Sequence, residues 1–113
     1  MHELSIASSI VETVTSEMTS RGLTSIKKIG LRIGALANVD SEALRFGYET
    51  IIVDTPLAGS TLEIEYLSVK ATCRKCGLNF EAHDFIFICP NCESGDNEVT
   101  QGQELDIAFL EAE

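Results

Sequence analysis

Leu4, Ala7, Ile10, Val11, Val14 and Met18 recur at steps of three and four residues, with Ser5, Ser9, Glu12, Ser16 and Glu17 mostly between them. That spacing gathers the apolar side chains on one stripe and predicts an α-helix from residue 3 to about 21. Arg21 suits its last turn, and Gly22 the residue beyond. The period then drops to two. Ile29, Leu31 and Ile33 alternate with Gly30, Arg32 and Gly34, which predicts a strand starting near Ile26. After a connection over 35–38, Asp40 or Ser41 caps a second helix, and Glu42 in its first turn suits the helix dipole. Ala43, Leu44, Gly47, Tyr48, Ile51 and Ile52 make its apolar face, which Phe46 widens, and Pro56 ends it.

The turn Ala58-Gly59-Ser60 leads to a second alternating stretch. Leu62, Ile64 and Tyr66 alternate with Glu63 and Glu65, a strand with one wet face that is expected to run through Val69 into Cys73. Phe80 and the run Phe85-Ile86-Phe87-Ile88 predict a short strand pair, and 93–102 reads as a polar loop. Leu105, Ile107 and Phe109 alternate with Asp106 and Ala108 in a final strand that has the pattern of the main body. The order predicts an α+β fold: a small sheet covered by two helices, with a zinc-ribbon-like domain of four cysteines inserted before the last strand. The expected body is 1–69 with 103–113, and the inserted module is 70–102.

The four cysteines fall in two C-x-x-C pairs, Cys73/Cys76 and Cys89/Cys92. Each such turn points two sulfurs into one shallow bowl, and two facing bowls make the tetrahedral S₄ cage that zinc accepts. Gly77 follows the first pair, where a positive φ is expected. Disulfides would need an oxidising compartment. No basic region followed by an apolar run and a cleavage site opens the chain, and no apolar run approaches a membrane span, so we expect a cytoplasmic protein without a membrane partner. With 18 acidic against 8 basic residues the formal charge is −10, which opposes nucleic-acid binding. No nucleophile–base set, supported carboxylate pair or phosphate-cradling glycine loop stands out, and we expect no enzyme. His83 reads as a solvated loop residue beside a cage that is already full.

The chain begins Met1-His2-Glu3. A terminal amine, the His2 backbone nitrogen and the His2 Nδ1 can wrap one ion, and Glu3 can complete the set. Nitrogen donors in a plane suit Ni(II) or Cu(II). The same Glu3 also favours a helix N-terminus without any metal.

Taken together, Met1-His2-Glu3-Leu4-Ser5, Ile29-Gly30-Leu31-Arg32-Ile33-Gly34, Leu62-Glu63-Ile64, the two cysteine pairs and Gly102-Gln103-Glu104-Leu105-Asp106-Ile107 give the chain a family resemblance. It resembles the HypA/HybF nickel-insertion accessory proteins of [NiFe]-hydrogenase maturation, over essentially its full length. The resemblance implies Ni(II) as transported cargo at Met1, His2 and Glu3, with Asp40 as a further candidate, and structural Zn(II) at Cys73, Cys76, Cys89 and Cys92. It implies a metallochaperone that helps deliver nickel to the hydrogenase large-subunit precursor, with a nickel-handling GTPase of the HypB type as partner; some relatives also serve urease. Some relatives carry a further histidine late in the zinc domain, and 91–102 holds none here. An inserted module before the last strand leaves room for a homodimer by strand exchange. The knuckles also resemble those of rubredoxin, which hold iron in the same geometry, so an iron–sulfur electron carrier is the alternative. Most of the chain would then have no role.

Overall fold

The computed structural model describes residues 2–83 and 85–113. It is an α+β fold with the element order α1 (His2–Arg21), β1 (Ile26–Gly34), α2 (Ser41–Ile51), β2 (Thr61–Leu67), β3 (Val69–Cys73), β4 (Asn79–Ala82), β5 (Asn97–Gln101) and β6 (Leu105–Ala112). The strands form two three-stranded sheets, ordered β2-β1-β6 and β4-β3-β5. By contact the chain divides into two units. One holds residues 1–31, 39–65 and 106–113; the other holds 32–38 and 66–105. The unit around the cysteines therefore reaches beyond the expected module of 70–102 at both ends and takes in the segment after β1.

The first unit is built as its periodicity dictates. Ala7, Ile10, Val14 and Met18 of α1 are buried, and so are Leu44, Gly47 and Tyr48 of α2, which packs on α1. Ile26, Ile29 and Leu31 supply the β1 side of that core. α1 closes with two reaching-back bonds, Gly22 N–H to the Thr19 carbonyl and Leu23 N–H to the Met18 carbonyl, which satisfy carbonyls the last turn leaves open. The Asp40 carboxylate caps α2 by accepting from the Glu42 and Ala43 N–H groups. Below α2, Ser60 donates its only proton to the Leu57 carbonyl at 2.6 Å, so the buried Tyr48 hydroxyl must donate to Ser60. Gly30 lies beneath the Phe109 ring, which occupies the place a Cβ would need.

In the second unit Gly34 meets the Gly102 backbone with no room for a side chain, and Leu36 N–H donates to the Gly102 carbonyl at 2.7 Å. β3 pairs antiparallel with both β4 and β5, with Ala71 opposite Phe80 on one side and Val99 on the other.

Five expectations change. The strand expected from Leu62 to Cys73 is two strands in two sheets, broken at Ser68. Phe85–Ile88 form no strand: Phe85 takes a left-handed φ of 59°, and Phe85, Ile86 and Ile88 are exposed. The expected loop 93–102 contains β5. Phe46 does not widen the buried face of α2, being 72% exposed. α2 also stops at Ile51, ahead of Pro56, with Asp54 left-handed between them.

Candidate metal centre

β3 delivers Cys73 to its end, and the chain then folds back on itself. Gly77 N–H donates to the Cys73 carbonyl and Cys73 N–H to the Leu78 carbonyl, each at 2.9 Å. Lys75 N–H and Cys76 N–H point at the Cys73 sulfur from 3.3 and 3.4 Å. The second knuckle repeats the framework. Glu93 N–H donates to the Cys89 carbonyl and Cys89 N–H to the Ser94 carbonyl, again at 2.9 Å. Both knuckles need a left-handed residue after the second cysteine. Gly77 (φ 80°) supplies it in one and Glu93 (φ 63°) in the other, where a side chain makes the same backbone less favourable. The knuckles are tied together by an ion pair from Arg74 Nη1 to Asp96 at 3.0 Å and by Arg74 N–H on the Asp96 carbonyl. The Asn97 amide group donates to the Phe87 carbonyl at 2.6 Å and the Ser94 carbonyl at 3.2 Å.

This frame brings the four sulfurs together. Cys73 and Cys92 lie 3.5 Å apart, as do Cys76 and Cys89, and all four donor atoms fall within 4.8 Å of one another. A tetrahedron with metal–sulfur bonds of about 2.3 Å has edges of about 3.8 Å, so the cage fits zinc with small adjustments. All four thiols are free. Cys73 and Cys89 are buried, while Cys76 and Cys92 are exposed.

The electrostatics show what the cage lacks by itself. The Cys76 N–H, helped by the Lys75 N–H, draws the Cys73 thiol down to about 6 against its burial. The Leu78 N–H and then the Asn91 amide lower Cys76. Cys92 receives the Ser94 N–H, yet the neighbouring Cys73, burial, Cys76 and Cys89 push it up to about 12. Thiolates are favoured at Cys73 and Cys76, and one at Cys92 beside them is not, unless a cation joins them.

The N-terminal candidates are placed differently. His2 and Glu3 lie in the first turn of α1, with His2 Nδ1 3.8 Å from Glu3 Oε2 and the His2 side chain about half exposed. The Glu3 carboxylate accepts the Asp40 N–H at 3.2 Å, and that bond holds its pKa below the usual value. Asp40 therefore does come beside Glu3, through its N–H, while its Oδ1 caps α2. Met1 lies outside the described residues. Among the described residues, only the cysteine quartet gathers three or more metal-binding side chains. His83 is exposed, 3.9 Å from Glu81.

Sequence reasoning missed the residues that hold the cage: Asn91, whose amide lies 3.7 Å from the Cys76 sulfur, Asn97, and the Arg74–Asp96 pair. An asparagine directly before the last cysteine was the one available signal.

A family model described as "Hydrogenase/urease nickel incorporation, metallochaperone, hypA" matches residues 1–112. The chain belongs to the HypA family. Hydrogenase maturation factor HypA of Acidithiobacillus ferrooxidans is 36% identical over 113 residues, covering all of both chains. Its counterpart from Chloroflexus aurantiacus is 38% identical over 112 residues, 98% of each chain. HypA is a family of maturation factors and metallochaperones, not of enzymes. A solution structure of HypA protein superposes with a TM-score of 0.76 at 23% identity, over 100% of this chain and 97% of the other. A second, of the Ni metallochaperone HypA from Helicobacter pylori, gives 0.69 at 22% identity over 97% and 96%. Both share the fold. No helix among the described residues is long and apolar enough to cross a membrane.

Proposed function

We propose that this HypA-family chain binds Ni(II) through Met1, His2 and Glu3 and helps deliver it to a [NiFe]-hydrogenase large-subunit precursor in the cytoplasm. Zn(II) at Cys73, Cys76, Cys89 and Cys92 cross-links the second unit and stays there. The body carrying α1 and α2 is then the nickel domain, and the cysteine unit the zinc domain. A GTPase of the HypB type hands over or receives the ion, and urease is a second destination open to the same carrier. The observation that carries this reading is the His2 imidazole beside the Glu3 carboxylate at the start of α1, in a chain that matches the family from residue 1.

The chemistry supports transfer. A free Met1 amine, the His2 backbone nitrogen and the His2 Nδ1 offer nitrogen donors to nickel, and Glu3 an oxygen. All come from residues 1–3 of the sequence, and they can separate more readily than four sulfurs on a hydrogen-bonded frame. Amide coordination requires loss of a proton, so nickel affinity should fall with acidity. An electron-carrier reading explains only the knuckles, whereas the family match spans α1, β1 and α2 as well. The test is a nickel titration of tag-free protein beside His2→Ala, with zinc measured in both. The carrier reading expects one nickel equivalent to disappear in the variant while one zinc remains. Equal nickel binding by both proteins would sink the N-terminal assignment, and tightly bound iron with a reversible one-electron couple would revive the electron carrier.

A further inference from the structure

α2 buries one side and turns an aromatic ring outward on the other. Leu44 and Tyr48 are buried, and Phe46 stands two residues from each, about 200° round the helix, so it faces away from the core. It is the most exposed large apolar side chain among the described residues, and Val53 is the next at 64%. Val53 follows at the seven-residue spacing that keeps one side of a helix, the right-handed backbone of Ile52 carrying the turn onward. Single exposed apolar residues are ordinary, but these two share one side with acids. Glu42, Glu49 and Asp54 are all exposed, and none of the three forms an ion pair among the described residues.

We propose that the outer side of α2 docks a basic amphipathic helix of another protein. Such a helix lays an apolar stripe on Phe46 and Val53, and Lys or Arg beside that stripe reach Glu42, Glu49 and Asp54. Charge selects this occupant because the three carboxylates stand free. All four Lys and Arg side chains of the first unit are engaged elsewhere. Arg21 pairs with Glu17, Lys27 with Glu111, and Lys28 with Glu63 and Glu111. Arg45, the one base on α2, donates to the Leu62 carbonyl of β2. The same carboxylates oppose a second copy of this chain, which would set acid against acid, and they oppose nucleic acid and anionic membranes. None of the five residues on this side is a metal candidate, so the docking and the nickel assignment fail independently.

The probe is an acetylated, amidated peptide of about fifteen Leu, Ala and Lys residues, with Leu at alternating steps of three and four. It is titrated into isotope-labelled full-length protein and followed by amide shifts, which should concentrate on residues 42–54. Affinity should fall about tenfold in Phe46→Ala and in Glu49→Lys, both at exposed positions where substitution disturbs the fold little. Glu12→Lys makes the same change of charge at an exposed position of α1 and should leave affinity within about twofold. A peptide of the same composition with its Leu scattered around the helix should bind about tenfold more weakly, and so should one with Glu in place of Lys. Unchanged affinity in Phe46→Ala, or for the scattered peptide, would overturn the apolar stripe. Equal losses in Glu12→Lys and Glu49→Lys would reduce the attraction to net charge and overturn the site, and equal affinity for the Glu peptide would overturn the basic partner. A concentration-dependent dimer abolished by Phe46→Ala would assign the face to a second copy instead.

Discussion

The two candidate metal sites are built from opposite materials. The cysteine quartet is a backbone construction: two repeated knuckles, each closed by paired amide–carbonyl bonds, fix where the sulfurs stand. Around His2 and Glu3 the side-chain donors stand on the first turn of a helix, and the Glu3 carboxylate is already engaged by the Asp40 N–H. A site made by the fold becomes part of the fold's stability, and a site made by a chain end can be emptied at little structural cost. The contrast fits a resident ion at the first and a passing one at the second.

The most severe way to test the contrast is Cys89→Ser, which removes a buried donor of the cage. Structural zinc sites contribute about 10–16 kcal/mol of apparent binding energy near pH 7. We expect the variant to lose its zinc and the thermal transition of the cysteine unit, while the far-ultraviolet signal of α1 and α2 persists. A variant that keeps one zinc and melts like the parent would erase the distinction. Acid is the next largest perturbation. The Cys73 thiolate is favoured in the folded frame, so its contribution is present above the ordinary value of 9.0 and is lost as pH falls through about 6. Zinc binding near pH 7 should therefore release fewer than four protons, and the dependence of affinity on pH should steepen below about 6. Calorimetry in buffers of different ionisation enthalpy counts those protons, and a constant four from pH 5 to 8 would contradict the assigned role of Cys73.

Smaller changes sharpen the comparison further. Asp40→Ala deletes the cap of α2 and should cost about 1 kcal/mol in a melting experiment. His2→Ala, at an exposed side chain, should stay within about 0.5 kcal/mol. Equal losses would mean that His2 is structural. Within the cage, Gly77→Ala should cost about 1 kcal/mol, because the left-handed φ is penalised although the space is open. Glu93→Gly at the matching position should move stability less, since relief of that penalty is offset by a more flexible unfolded chain. If both substitutions shift the melting point alike, the knuckles are not equivalent frames.

The sequence was legible where a side-chain pattern and a local structure share a cause. The helical stripe from Ala7 to Met18, the alternation of Ile29, Leu31 and Ile33, and the spacing of the cysteines all express geometry directly. β5 was not legible: Asn97-Glu98-Val99-Thr100-Gln101 has no apolar alternation, and it is a strand because β3 offers it a ladder. The break at Ser68 did leave a trace. The inward positions are Leu62 and, half-buried, Ile64 before it, but Val69, Ala71 and Cys73 after it, so the phase slips from even to odd numbers. Phe85–Ile88 misled because an apolar run is ambiguous without knowing what covers it. The N-terminal candidates rest on donor chemistry and on the family resemblance, not on any periodic pattern. Their proximity to Asp40 depends on the packing of α1 against α2, which no local pattern encodes.

That proximity has a consequence for any ion that comes to the N-terminus. The Glu3 carboxylate cannot give its full strength to a cation while it also receives the Asp40 N–H. Recruiting it loosens a tether between the first turns of two helices, and releasing the ion restores that tether. The amide acts as a counterweight: it gives the carboxylate a partner to return to whenever such an ion departs.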